Sequence, residues 1–173
     1  MNLIVTCARH LEGETEDELI DILGELGDSN VKISVSSMSG IITVQTKLDP
    51  IEVVRKMREM LLDEPWSIRY CLRVIPVQKV VETNIDEIEK VISNMSEQIE
   101  EKEAYRILIE KRNSDISSKE IITKIANGMK NKVSLDFPDK IILIEILGII
   151  TGISILKKSD ILSLEKTKRS ISD

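Results

Sequence analysis

Residues 132–148 read KVSLDFPDKIILIEILG: a stretch alternating apolar and polar side chains breaks at Phe137-Pro138-Asp139 and resumes as Ile141-Ile142-Leu143-Ile144-Glu145-Ile146-Leu147. Proline lacks the N–H that a sheet ladder needs, so Pro138 belongs at an edge or in a turn. The expected arrangement is a strand on either side, with residues 137–139 connecting them.

The residues around this stretch extend the pattern. Upstream, Ser117-x-x-Glu120 is a capping box that opens a helix over 117–131, with Ile121, Ile122, Ile125, Ala126 and Met129 on its face. Before it, Ala104 to Glu110 carries Tyr105, Ile107 and Ile109 at alternate positions with Arg106 on the opposite face, which predicts a strand followed by a polar loop over 111–115. Residues 84–101 place Ile85, Ile88, Val91, Ile92, Met95 and Ile99 on one stripe, predicting an amphipathic helix. A last strand spans Thr151 to Leu156. Residues 159–173 carry Ile161, Leu162 and Leu164 and then a polar tail expected to fray at its end.

The first eighty residues have a different rhythm. Leu3, Ile4 and Val5 predict a buried strand; Thr15-x-x-Glu18 reads as a capping box for a helix carrying Leu19, Ile22, Leu23 and Leu26 and stopping at Gly27. Val31 to Val35 and Ile41 to Thr46 form a hairpin, Asp49-Pro50-x-Glu52 starts a second helix, and Trp66 to Val77 is a closing strand. The order β-α-β-β-α-β is the ferredoxin-like arrangement. The fold class is therefore α/β of the α+β kind. A ferredoxin-like unit over 1–82 precedes a second unit over 83–158 of pattern α-β-α-β-β-β, and residues 159–173 form a tail.

Composition bounds the function. Hydrophobic residues make up 42% and charged residues 31% of 173 residues, as in an ordinary folded domain. No apolar run approaches the roughly 18 residues of a membrane helix, and the start turns acidic where a signal peptide needs a cleavage site, so a cytoplasmic location is expected. Cys7 and Cys71 lie in apolar runs and read as buried small hydrophobes. His10 is the one histidine, which excludes a His-based metal cluster and reads as a loop or capping residue. No catalytic residue, metal or cofactor is expected.

Charge is uneven along the chain. Residues 1–103 hold 11 basic and 21 acidic side chains, whereas residues 104–173 hold 13 and 9, within a net charge of −6. Arg106, Lys111, Arg112, Asn113, Lys119 and Lys124 gather on a strand, its loop and the next helix, and Lys157 and Lys158 follow the last strand. A loop leading into a capped helix N-terminus offers amides and a positive dipole end beside Lys111, Arg112 and Lys119, an arrangement that suits phosphate. The four aromatics, Trp66, Tyr70, Tyr105 and Phe137, read mostly as core residues, which argues against base stacking. The acidic first unit is expected to repel nonspecific RNA or to dock a basic partner.

The strand ending in Lys111-Arg112-Asn113, the helix 117–131, the run V-S-L-D-F-P-D over 133–139 and the strand holding Ile144-Glu145-Ile146 together resemble the THUMP domain, the RNA-binding module of several tRNA-modifying systems. The usual V-D-L-x-x-P-D pattern is kept at Leu135, Pro138 and Asp139 and departs at Ser134. THUMP domains usually accompany an enzyme, but the sequence has no G-x-G-x-x-G, P-loop or C-x-x-C, and His10-Leu11-Glu12 has no C-x-x-C to complete an H-x-E zinc signature. The resemblance is then to a stand-alone, archaeal-type adaptor that grips the tRNA acceptor stem and CCA end while a separate RNA cytidine acetyltransferase makes N4-acetylcytidine. It implies that Lys111, Arg112, Lys119 and Lys124 hold phosphates, with Lys157 and Lys158 as an outlying patch. Alternatives are the RNA-binding subunit of a thiolation or methylation system, or a protein scaffold without RNA contact. An enzyme built on Asp136, Asp139 and Glu145 is disfavoured, because these positions read as turn-forming or solvent-facing.

Overall fold

The structure, a computed structural model, describes residues 1–173. In chain order the elements are β1 (Leu3–Thr6), α1 (Glu12–Glu25), β2 (Lys32–Val35), β3 (Ile41–Gln45), α2 (Pro50–Asp63), β4 (Arg73–Pro76), β5 (Lys79–Glu82), α3 (Ile85–Met95), β6 (Tyr105–Arg112), α4 (Ser118–Gly128), β7 (Lys140–Leu147), β8 (Ile150–Leu156), β9 (Leu162–Ser163) and α5 (Leu164–Ser172). They divide into two units, Met1–Val77 with Ser159–Asp173, and Gln78–Lys158. The class is mixed α/β, as the sequence predicts. No helix is long and apolar enough to cross a membrane.

Unit one is an antiparallel sheet of order β2-β3-β1-β4-β9, the ferredoxin-like order with one added edge strand. Its core joins Leu3 and Val5 of the sheet to Leu19 and Leu23 of α1 and Val54, Met57 and Leu61 of α2. Asp49 caps α2, accepting from the amides of Ile51 at 2.9 Å and Glu52 at 3.0 Å, with Pro50 in the first turn. Residues 159–173 are not a separate tail. Leu162 and Leu164 are buried in this core, the Leu164 amide donates to the Leu72 carbonyl, and Ser163 caps α5, so the chain end returns to the first sheet.

The Thr15-x-x-Glu18 box proves to be something else. Helix α1 begins three residues earlier, at Glu12, and the buried Thr15 hydroxyl donates back to the Leu11 carbonyl inside the helix. The Glu18 carboxylate accepts from the amides of Arg69, Tyr70 and Cys71, at 2.8, 3.0 and 3.0 Å. Those amides are thereby withdrawn from any ladder, which is why the strand expected over Trp66–Val77 is confined to Arg73–Pro76.

Unit two is a sheet of order β5-β8-β7-β6 with α3 and α4 on one face. Strand β5 was not foreseen; it pairs antiparallel with β8, and it moves the unit's start from residue 83 to Gln78. Helix α3 is capped by Asn84 and ends at Met95 rather than near 101, where the Ser96 hydroxyl donates to the Ser93 carbonyl and the chain tightens into a 3₁₀ turn. Strands β6 and β7 pair in parallel from Tyr105↔Lys140 to Arg112↔Leu147, with α4 as the crossover. Ile107 and Ile109 of β6, Ile142, Ile144 and Ile146 of β7, and Ile153 and Ile155 of β8 face Ile88, Ile92, Ile121 and Ile125 of the helices.

The Pro138 interruption is resolved here. No strand precedes it: Val133 makes a single bridge to Tyr105, and the apolar side chains that alternate there point to solvent. Asp139 clips the loop to the start of β6, its carboxylate accepting from the Ala104 amide at 2.8 Å while its own amide donates to the Ala104 carbonyl at 2.9 Å.

Three positions of unit one test these constraints. Gly40 has φ +74°, and a Cβ there would stand 2.6 Å from the Cys7 carbonyl oxygen, whereas a Cβ on Gly24 of α1 meets nothing within 4 Å. Gly40→Ala should destabilise the protein by about 2 kcal/mol or more and Gly24→Ala stabilise it by roughly 0.5–1 kcal/mol, read from chemical denaturation. Asp28 is buried and accepts from the Thr46 hydroxyl and the Lys47 and Asn30 amides, which hold its carboxyl below the usual aspartate range. Stability from a depressed acid is full above the unfolded value of about 3.9 and is lost as pH falls through that range. Asp28→Asn should therefore flatten the acid limb of a Tm-against-pH curve; an unchanged limb would assign acid sensitivity elsewhere.

Candidate nucleic-acid interface

The parallel β6–β7 pair sorts the expected RNA-binding residues by position. Strand β6 runs from Tyr105 to Arg112, so Arg106 and Arg112 lie six residues, about 20 Å, apart along it. Lys111, Arg112, Asn113 and Lys119 sit at the end where β6 leaves the sheet and α4 begins. Arg106 is at the other end, and so are Lys157 and Lys158, because Leu156 of β8 registers with Ile141, which registers with Arg106. Seven of the eight residues therefore form two groups rather than one patch, and Lys124 lies farther along α4.

At the first end the chain turns sharply at Asn113, φ +53°, a conformation asparagine tolerates better than most residues. The Lys111 ammonium donates to the Ile116 carbonyl at 3.0 Å, and the Ser114 hydroxyl accepts from the Ile116 amide at 3.3 Å, which folds the loop back onto the strand. Ser117 then caps α4 by accepting from the Glu120 amide at 3.2 Å. This leaves the Ser118 and Lys119 amides at the positive end of the helix dipole, next to the Lys119 side chain and to an ammonium with two further donors. An anion is the chemical partner for that set.

Two expected phosphate ligands are engaged within the protein. Alternation turns Arg112 to the sheet face opposite Lys111, where its guanidinium donates to Glu145 at 3.0 Å. Glu145 is 1% exposed, so the expectation that it faces solvent fails; a carboxylate this deep needs its cation. Lys124 forms an ion pair with Asp86 at the start of α3, and the hydrogen bond to that carboxylate raises its pKa. The loop end thus gathers Lys111, Asn113 and Lys119, without Arg112 or Lys124.

The charge division also changes with the real boundaries. Gln78–Lys158 contains 13 basic and 14 acidic residues, so the second unit as a whole is not basic. Seven of those acids, Asp86, Glu87, Glu89, Glu97, Glu100, Glu101 and Glu103, belong to α3 and the segment after it, while Glu110, Asp115 and Glu120 are interspersed with Lys111, Arg112 and Lys119.

The aromatics also depart from the expected core positions. Tyr105 alone is buried; Trp66 is 66% and Phe137 87% exposed. Trp66 borders an open groove of about 530 Å³ in unit one that also takes in Glu14, Asp17, Asp21 and Glu64. Both cysteines are buried and free, and burial pushes both thiols up, as inert core positions require. His10 lies exposed in the β1–α1 loop at φ +71°, and no group of three or more metal-ligating side chains is assembled.

Residues 82–156 match the THUMP domain. The chain carries a THUMP domain. No curated protein gives a significant match to the sequence. Among solved structures, PH1313 from Pyrococcus horikoshii Ot3 superposes with a TM-score of 0.64 at 18% identity over 91% of this chain and 55% of that one. TrmN from Thermus thermophilus gives 0.58 at 12% identity over 88% and 44%, and a 4-thiouridine synthetase–RNA complex with bound ATP gives 0.54 at 11% over 94% and 42%. These likenesses establish a shared fold for the THUMP-bearing chain, which spans little more than half, or less, of each of those proteins.

The Arg112–Glu145 pair makes a direct prediction. Arg112→Ala strands a buried carboxylate and should destabilise the protein by about 3 kcal/mol, while Arg112→Met with Glu145→Met should recover most of that loss. Denaturant midpoints decide it; a silent single variant would mean Glu145 does not depend on Arg112.

Proposed function

We propose that this protein is a non-catalytic RNA-binding adaptor of tRNA modification, holding the acceptor stem and CCA end of tRNA for a separate RNA cytidine acetyltransferase that forms N4-acetylcytidine. The observation that supports the RNA-binding part is the Lys111–Lys119 loop and helix start, where the Lys111 ammonium is tied to the Ile116 carbonyl and the first turn of α4, with its amides, its dipole end and Lys119, follows directly. The THUMP domain over 82–156 supports tRNA as the ligand, and the likeness to a synthetase solved with RNA supports an RNA grip. In this reading the chain supplies no reacting group. Glu145 is held by Arg112 and Asp139 by the Ala104 amide, which removes two of the three carboxylates from a convergent acid–base set. The protein works in the cytoplasm, where its tRNA is.

A second reading keeps the RNA grip and exchanges the chemistry for methylation or thiolation, the latter favoured by the likeness to a 4-thiouridine synthetase. Co-purification of the catalytic partner separates the two. A reconstituted reaction yielding N4-acetylcytidine only with both chains present selects the first.

The RNA grip is tested by tRNA binding across a salt series. If three to five phosphates are neutralised, log affinity should fall against log salt with a slope of roughly −2 to −4. Lys111→Ala with Lys119→Ala should weaken binding and make the slope shallower by about 1 to 2. Arg112 stays intact in this variant, because its loss acts through folding. Undetectable or salt-insensitive binding of folded protein would overturn the reading.

A further inference from the structure

The loop that follows α4 displays what a folded chain ordinarily hides. Val133, Leu135 and Phe137 are 57%, 66% and 87% exposed, three apolar side chains within five residues. Full burial of such a side chain is ordinarily worth some kcal/mol, so this exposure is left unused by folding. Nor is the loop slack. The Tyr105 amide donates to Lys132 and the Ser134 amide to Tyr105, each at 2.9 Å; the Phe137 amide donates to the Ser134 hydroxyl at 3.1 Å; Asp139 is clipped to Ala104 on both sides. Arg106 reaches across and donates to the Leu135 carbonyl at 3.3 Å. A pinned loop presenting a bare aromatic ring has the form of a contact surface.

The surrounding charge indicates what the surface contacts. Arg106 uses one of five donors on Leu135, Lys132 extends from the strand bridge beside Tyr105, and Lys157 and Lys158 follow β8 at this same end of the sheet. Asp136 is an exposed acid within the loop itself, and the nearby Glu103 is paired with Lys140. A ring flanked by cations matches a nucleotide, whose base offers a π-face and whose phosphate offers the charge. A purely apolar protein surface would leave Arg106 and Lys132 without counter-charge.

Resting on the RNA-binding reading above, we infer that this loop is a second RNA contact, in which an unpaired nucleotide stacks on Phe137 while Arg106 and Lys132 take the adjoining phosphates. It lies about 20 Å along β6 from the Lys111–Lys119 site, so one RNA engages both only if it extends over that span. The loop end reads helical backbone and the Phe137 end reads single strand.

The test uses the full chain and two RNA hairpins, one blunt and one with a four-nucleotide 3′ overhang carrying 2-aminopurine. Phe137→Ala should weaken overhang binding about 5- to 100-fold, abolish the change in 2-aminopurine fluorescence, leave blunt-hairpin binding unchanged and keep Tm unaltered. Phe137→Tyr, which keeps the ring, should restore both readouts. Wild-type overhang affinity in Phe137→Ala, equal losses on both RNAs, or loss confined to a protein partner would overturn the inference. If Phe137→Ala is silent while Lys111→Ala with Lys119→Ala weakens both hairpins, this inference falls and the adaptor reading stands; if wild type binds neither RNA, both fall.

Discussion

The parallel pairing of β6 with β7, eight registered residue pairs from Tyr105↔Lys140 to Arg112↔Leu147, fixes where everything else in the second unit can go. Two adjacent parallel strands need a crossover, and here it is α4. The crossover leaves the sheet at the C-terminal end of β6 and must return at the N-terminal end of β7. The first passage creates the tight turn at Asn113 and the open start of α4. The second creates the loop over 129–139, which must travel back to Lys140 and is secured to β6 on the way. A single pairing thus generates two loops at opposite ends of one strand, and both groups of cations follow from it.

Carboxylates show where sequence and structure part. Glu12 accepts from the Gly40 amide, Glu18 from three amides of the 69–71 segment, Asp28 from Thr46, Lys47 and Asn30, and Asp139 from Ala104. Each satisfies backbone groups that the turns leave unpaired, a role no local pattern announces when donor and acceptor are 28, 51 or 35 residues apart. Asp49, Asn84 and Ser117, by contrast, act within three residues of themselves, and the Asp49 and Ser117 caps were legible for that reason. Thr15-x-x-Glu18 had the same local form, but a distant set of amides competed for its glutamate.

The same distinction governs the candidate site. Periodicity placed α2, α4, β6 and β7, and the alternate spacing of Tyr105, Ile107 and Ile109 sets Arg106 on the opposite face of β6. What the sequence did not reveal was the pairing of side chains. Arg112 and Lys111 are neighbours in the chain, yet alternation sends one to a buried acid and the other to the anion-ready loop. Phe137 was misread because apolar alternation over 133–137 looks the same whether a sheet covers it or water does. The turn at Pro138 prevents the second half of that pattern from finding a partner strand.

Net charge is a poor guide for a molecule arranged this way. The chain carries −6, and Gln78–Lys158 is close to neutral. Phosphate binding nevertheless depends on the charges within a Debye length, about 8 Å at physiological salt, and charges farther away are largely screened. In the proposed RNA grip, Lys111 and Lys119 would act on a phosphate at contact distance together with helix amides whose partial charges no residue count includes. The more informative count is of cations not already committed to an acid. It removes Arg112, Lys124 and Lys140, each paired with a carboxylate, and keeps Lys111, Lys119, Arg106 and Lys132. Divided between two ends of one strand, that set suits a ligand that is itself extended and charged along its length.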